Sequence, residues 1–302
     1  MVFAALEQYL KENKIEYLKD EPMSRHTSFH IGGNADLFIY PHTTEILGDV
    51  IKTCKENKIS YFIIGKGSNL VISDKGIEGA VICTSKINTV CLDENGRIFA
   101  GAGATLAQVC TFAKNNGLSG LEFAYGIPGS VGGAMVMNAG AYGGEMKDVA
   151  FSAFILNQQG KTEEINRDKM ELSYRNSIFK KKNYTIVGAV FELSKDSEEE
   201  IGARMDDYIN RRKTKQPLEY PSGGSVFKRP EGYFAGALIE ENGFKGVSVG
   251  GAQVSEKHAG FIINKGDATC NDVKELVKMI QEKVLKNNGV SLETELIFKG
   301  RE

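Results

Sequence analysis

Residues 61–72 read YFIIGKGSNLVI: an apolar strand, the turn Gly65-Lys66-Gly67-Ser68-Asn69, and a second apolar run from Leu70 to Ile72. A Rossmann dinucleotide unit needs a third glycine and a helix whose N-terminus receives the pyrophosphate. Here position 70 is leucine, and the pattern after the turn is that of a strand. The Rossmann fold is excluded on both counts, although backbone N–H groups in a strand–turn–strand nest still suit phosphate.

Upstream of that turn, Thr43–Lys58 (TTEILGDVIKTCKENK) places Ile46, Val50, Ile51 and Cys54 at helical spacing behind a capping threonine. Downstream, the pattern predicts short strands at Ala80–Cys83, Ile87–Leu92 and Arg97–Gly101. Gly101-Ala102-Gly103-Ala104 then leads through Thr105, an N-cap candidate, into a helix bearing Leu106, Val109 and Cys110. Phe151–Gln158 and Lys161–Ile165 flank Gly160 as a hairpin, and Thr185–Leu193 reads as a long apolar strand.

Between these elements, Gly126–Glu145 reads GIPGSVGGAMVMNAGAYGGE, with seven glycines in its first nineteen residues. Glycine loses more backbone freedom on folding than any other residue, so such density serves a purpose. One is close approach of bare N–H groups to a bulky or anionic ligand; the other is a tightly packed turn region without a ligand. The spacing is irregular and interrupted by Ile, Val, Met and Ala, which excludes a linker or a repeat.

The charged cluster Ser194–Glu200 opens a helix carrying Ile201, Met205, Tyr208 and Ile209, which turns basic at Arg211-Arg212-Lys213 and stops before Pro217. This is the clearest linear boundary. Beyond it come Gly223-Gly224-Ser225-Val226-Phe227, a helix over Tyr233–Glu241 and a strand at Phe261–Asn264. A helix with a Thr269/Asp272 capping box runs to Gly289, and a terminal strand covers Leu292–Phe298. The second half thus reads as an α+β module.

The chain has 302 residues, 41% of them hydrophobic, and a net charge of −2 with both signs interspersed, so no electrostatic footprint for nucleic acid or a membrane surface is present. A small-molecule partner is expected. The first thirty residues lack a basic n-region and a continuous apolar h-region, and no run approaches the roughly 18 apolar residues of a membrane span. Five scattered cysteines without a C-x-x-C pair read as reduced, which points to the cytoplasm. The four histidines form no compact ligand array, so no metal is expected. His26 and His30 share a segment with Arg25 and Gly32-Gly33, either a ligand-facing turn or ordinary turn residues.

Three polar sites, the last of them a pair of glutamates, sit in settings that penalise an unpartnered side chain. Arg175, in Ser173-Tyr174-Arg175-Asn176-Ser177, offers a guanidinium fork to a carboxylate or to a structural ion pair. Ser225 follows two glycines without the G-x-S-x-G elbow or a histidine partner, so it reads as a turn serine or as a hydroxyl for hydrogen bonding or proton transfer. Glu293 and Glu295 alternate with Leu292, Thr294 and Leu296, which predicts both carboxylates on one strand face and does not choose between them.

Taken together, IGG at Ile31–Gly33, IGKGSNL, the glycine-rich stretch, SYRNSIF, GGSVFKRPEGYFAGALIE and the terminal LETEL resemble, in this order, the UDP-N-acetylenolpyruvoylglucosamine reductase family. The resemblance implies an α+β fold: a two-subdomain FAD-binding domain of the vanillyl-alcohol oxidase type plus a smaller α+β substrate-binding domain. The corresponding boundaries are 1–85, 86–197 and 198–302. It further implies non-covalent FAD, NADPH as hydride donor and a UDP-sugar enolpyruvyl ether as substrate; a monomer is expected. By position, Gly65, Lys66, Gly67, Ser68 and Asn69 resemble the loop that cradles the FAD pyrophosphate. Pro128, Gly129, Ser130, Gly132, Gly133, Asn138 and Gly140 resemble a second flavin-contacting segment.

Arg175, Ser225 and Glu295 match the family's catalytic positions, so the resemblance chooses the second glutamate. Tyr174, Lys215 and Lys228 are substrate-contact candidates. The chain lacks room between Tyr184 and Ser225 for the tyrosine-bearing insertion of one branch and resembles the shorter branch. The alternatives are a related FAD oxidase or dehydrogenase, for which a covalent link through His26 would speak, and a nucleotide-binding module without turnover.

Overall fold

Helix ends follow from local chemistry. In the computed structural model, which describes residues 3–157 and 159–302, the Thr43 hydroxyl accepts from Ile46 N at 3.2 Å and starts the helix Thr44–Glu56. Thr105 forms a full capping box with Gln108 at the head of Leu106–Asn115, and Thr269 does the same with Asp272 at the head of Cys270–Asn288. Gly289, at φ +69°, ends that last helix in the left-handed conformation that glycine adopts without steric cost. Met1, Val2 and Gln158, with which the first expected hairpin strand ends, lie outside the described residues.

The described chain divides into two compact units. The first comprises residues up to Lys19, Leu37–Lys66 and Gly79–Arg211; the second comprises Asp20–Asp36, Gly67–Glu78 and Arg212–Glu302. The linear segments 1–85, 86–197 and 198–302 therefore do not coincide with the units. Phe29, Ile31 and Val71 are buried in one apolar cluster with Val226, Leu276 and Leu296, which draws two N-terminal loops into the fold of the C-terminal segment. Hydrogen bonds fix the same arrangement: Ser28 Oγ donates to Ser222 O at 2.7 Å, and the Asp74 carboxylate accepts from Cys270 N at 2.7 Å and Asn271 N at 3.1 Å.

Within the first unit two cores form. One gathers Leu6, Leu10, Leu37, Ile39, Val50, Cys54 and Ile82, under a sheet in which Tyr61–Ile64 runs parallel to Ala80–Cys83. The other gathers Ile98, Val109, Met135, Phe179 and Phe191. Its five-stranded sheet has the order Thr162–Asn166, Ala150–Leu156, Thr185–Phe191, Ile98–Gly101 and Val90–Leu92, antiparallel throughout. The strand expected at Ile87–Leu92 begins only at Val90, because Thr84–Lys86 forms a 3-10 turn first.

In the second unit, Ser222–Ser225, Phe261–Asn264, Ala252–Val254 and Ser248–Val249 form a four-stranded antiparallel sheet. The helices Ala235–Glu241 and Cys270–Asn288 share its core. Leu70–Ile72 follows the Gly65–Asn69 turn directly as a strand, paired in parallel with Ile297–Lys299, so no Rossmann helix stands there. Among the described residues no helix is long and apolar enough to cross a membrane.

Candidate functional site

In the first unit three glycine-bearing segments far apart in sequence meet. Leu106 N donates to Gly129 O, Val131 N to Ala104 O and Gly132 N to Ala102 O, and Thr105 and Ser130 form an antiparallel bridge. A Cβ added to Gly132 would lie 3.1 Å from the Ala102 Cβ, one on Gly103 1.8 Å from Thr84 O, and one on Gly65 2.1 Å from Ser130 Oγ. These positions accept no side chain without backbone or neighbour movement. Gly133 differs, since its added Cβ would meet only Ser130 Oγ, at 3.6 Å. The GAGA turn, which reads from sequence as a helix lead-in alone, is thus also the floor beneath Gly132.

Ser130 is 2% exposed, and its hydroxyl has no hydrogen-bond partner among the described residues. An unsatisfied buried hydroxyl costs about 1–3 kcal/mol, which a polar ligand group at that point would remove. Bare backbone, small residues and one orphaned hydroxyl fit a dinucleotide cofactor laid against the main chain. Lys66 and Pro128 are exposed, and Gly140 sits in a two-residue strand pairing with Gly144-Glu145.

The segment leading into the glycine stretch is locked by a charge cluster that the sequence did not announce. Glu122, 7% exposed, accepts from Ser119 Oγ, Gly120 N and the Arg204 guanidinium. Burial alone raises its carboxyl pKa, but those hydrogen bonds outweigh burial and hold it below the ordinary value. Arg204 also holds Asp196, at 2.5 Å, and lowers that carboxyl too.

Asn138 closes the helix Val131–Met137 in the left-handed conformation, φ 42° and ψ 58°, and is 1% exposed. Its amide is bonded to protein: Nδ2 donates to Glu145 Oε2 at 2.6 Å and Ser173 O at 3.1 Å, and Oδ1 accepts from Lys147 N at 2.9 Å. Arg175 is half-buried at φ +54°, a backbone state that costs a non-glycine residue about 1–2 kcal/mol. Its guanidinium lies 5.1 Å from the ring centre of Tyr174, which is 52% exposed.

In the second unit, Ser225 and Glu295 are brought together through the backbone. Glu295 N donates to Val226 O at 2.7 Å, Phe227 and Thr294 form an antiparallel bridge, and Lys228 N donates to Glu293 O. Gly224, at φ +83°, makes the sharp turn that presents Ser225 as an exposed residue at a strand irregularity. Asn69 Nδ2 donates to Glu295 O at 3.1 Å, while Ile297 N donates to Asn69 O, so the Gly65–Asn69 turn ends as a brace for the glutamate. Gly67, at φ +61°, backs onto His26 O, where an added Cβ would lie at 2.1 Å. The neighbouring His26 ring contacts the Glu21 carboxylate at 2.9 Å.

The continuous terminal strand expected over Leu292–Phe298 does not form; the strand is Ile297–Lys299. The two glutamates accordingly differ. Glu293, its side chain 73% exposed, pairs with Lys228 Nζ at 2.7 Å, and that hydrogen bond lowers its carboxyl pKa; Glu295 is half-buried. Lys228 is therefore engaged by Glu293, and Lys215 stands exposed at the end of the helix Glu198–Lys215.

Two family models match the chain: FAD binding domain over residues 35–166, and UDP-N-acetylenolpyruvoylglucosamine reductase, C-terminal domain, over 216–298. The chain is 49% identical over 280 residues to UDP-N-acetylenolpyruvoylglucosamine reductase of Clostridium novyi, covering 93% of this chain and 91% of that one. It is 50% identical over 285 residues to the Clostridium botulinum protein of the same name, covering 94% and 93%. The crystal structure of UDP-N-acetylenolpyruvylglucosamine reductase from Thermus caldophilus aligns with a TM-score of 0.80 at 33% identity, over 94% of this chain and 98% of that one.

Proposed function

The chain belongs to the UDP-N-acetylenolpyruvoylglucosamine reductase family, and from that premise we propose how its own residues carry the reaction. It is an FAD-dependent oxidoreductase that reduces the enolpyruvyl group of UDP-N-acetylglucosamine enolpyruvate to the lactyl ether. The product is UDP-N-acetylmuramate, for peptidoglycan synthesis, and NADPH is the hydride donor. The observation that carries this reading is the near-half identity running through both the FAD-binding and the C-terminal family segments. The enzyme is assigned to the cytoplasm as a monomer, where its five free cysteines stay reduced.

Bound FAD supplies a two-electron carrier between NADPH and the substrate. Gly65–Asn69 together with Pro128, Gly129, Ser130, Gly132, Gly133 and Gly140 are assigned to holding it, with the Ser130 hydroxyl gaining the partner it lacks. Hydride addition at the terminal vinyl carbon leaves an electron pair on the adjacent carbon, conjugated with the substrate carboxylate. Arg175 grips that carboxylate through its guanidinium fork and opposes the growing charge. Glu295, protonated or otherwise hydrogen-bonded at the same carboxylate, assists it, and Ser225 delivers its proton to the carbon. Support for Glu295 over Glu293 comes from the hydrogen bond that Glu295 N donates to Val226 O beside Ser225, and from its half-buried position against the 73% exposure of the Glu293 side chain.

Rapid-mixing absorbance of the flavin band tests these roles by separating the two half-reactions. Ser225→Ala is expected to slow reoxidation by the enolpyruvyl substrate about 10²–10⁴-fold while bleaching by NADPH stays near native. Equal slowing of both half-reactions would refute the proton-donor role. A yellow protein bleached by NADPH but not reoxidised by this substrate would point instead to a related oxidase or dehydrogenase, and a colourless one to a binding module.

A further inference from the structure

The Arg175 turn is pinned at its base to the end of one helix. Ser173 and Asn176 exchange both backbone hydrogen bonds at 3.0 Å, leaving Tyr174 and Arg175 at the tip of a closed four-residue turn. Arg175 occupies its third position at φ +54°, where a turn ordinarily carries Gly or Asn. A turn whose own residues disfavour its shape depends on its attachments.

Lys180 Nζ donates to Arg175 O at 3.3 Å, and two further attachments lead to the C-terminal end of the helix Val131–Met137. Ser173 O accepts from Asn138 Nδ2, and Ser177 Oγ, fully buried, donates to Val136 O at 2.7 Å. The Asn138 amide has one orientation that satisfies its surroundings: two oxygens, from Glu145 and Ser173, face one arm and the Lys147 N–H faces the other. Lys147 and Asp148 are held in turn, because Arg167 donates to both of their carbonyls. The stem under Arg175 is thus built from bonds donated in succession, from Arg167 to Lys147, from Lys147 to Asn138 and from Asn138 to Ser173.

We propose that Asn138, together with Ser177, is a positioning residue for Arg175: its buried amide serves the guanidinium's placement and not the flavin. This rests on the reading that Arg175 acts on the substrate carboxylate. A carboxylate clamp tolerates little displacement, and a shift of about 1 Å in such a group can cost on the order of 10²-fold in rate.

The test uses the FAD-loaded enzyme and both half-reactions. Asn138→Gly leaves the left-handed backbone sterically allowed and removes the whole side chain, the amide included. It is expected to slow reoxidation by the enolpyruvyl substrate by about 10- to 100-fold, with FAD content and NADPH bleaching unchanged. In an Arg175→Ala background the same change is expected to add no more than about twofold, because its route of action is gone. Ser177→Ala carries the same pattern with a smaller loss and serves if Asn138→Gly does not fold. Loss of FAD with normal reoxidation of the flavin-loaded fraction overturns the proposal, as does full additivity with Arg175→Ala. If Arg175→Ala itself reoxidises at the native rate, the premise about Arg175 fails, an outcome distinct from either of these.

Discussion

The glycine floor of the first unit and the Ser225–Glu295 corner of the second are built on opposite principles. Around Gly65, Gly103 and Gly132 the structure works by leaving side chains out; neighbours stand 1.8–3.1 Å from where a Cβ would be. Around Ser225 and Glu295 it works by orienting polar side chains, with strand bridges and Asn69 holding their backbone. A ligand that lies flat on main chain needs the first arrangement, and a reaction that moves a proton and stabilises charge needs the second. The proposed roles therefore predict that binding and chemistry separate by mutation.

The largest expected effect tests the polar corner. Glu295→Gln should slow substrate-driven reoxidation by about 10²–10³-fold, whereas Glu293→Gln, which breaks only an exposed ion pair, should stay within about fivefold of native. Reversed sensitivities in the stopped-flow traces would transfer the assignment to Glu293. A middle-sized effect tests the floor. Gly65→Ala should raise the FAD dissociation constant about tenfold or more, in line with an overpacking cost of about 1–3 kcal/mol, as read by flavin fluorescence on titration. Gly223→Ala in the second unit makes a useful control: its added Cβ would meet the flexible end of Leu296 at 2.5 Å, so flavin affinity should not change. Equal losses in both variants would mean that crowding anywhere, and not the floor, governs FAD retention.

The smallest effect concerns pH. Glu122 and Asp196 titrate below their ordinary values in the folded chain, so the unfolded chain takes up protons first as pH falls. Their contribution to stability is complete above the unfolded values, 4.5 and 3.8, and is lost as pH drops through the lower folded values. Glu122→Gln should therefore flatten the acid limb of a denaturant-midpoint profile below about pH 4.5 and leave the Ser225 half-reaction unaffected at neutral pH. An unchanged acid limb would remove Glu122 from the acid-sensitive set.

Much of this was legible in the residues because it is local. Thr43, Thr105 and Thr269 cap the helices that the apolar spacing predicts, and the strand after Asn69 excludes a Rossmann unit. The glutamate pair was not legible: period-two spacing puts Glu293 and Glu295 on equal terms, and only the structure shows Glu293 exposed beside Lys228 and Glu295 half-buried with its N–H on Val226 O. Asn138 reads from sequence as part of a flavin-contacting run, yet its amide meets Glu145 and Ser173, the latter thirty-five positions away. Side-chain partners at that separation leave no periodic trace.

What the sequence determined by itself was the inventory: caps, turns, the glycine-rich segments and the ordered motifs that relate the chain to its family. Only the tertiary structure decided which core each segment joins. Asp20–Asp36 and Gly67–Glu78 fold with the C-terminal segment, dividing the Gly65–Asn69 turn between two units, because Phe29, Ile31 and Val71 bury themselves against Val226 and Leu276. The hydrophobic effect drives such residues out of water without direction. The sequence therefore marks them for burial, and the assembled chain selects their partners.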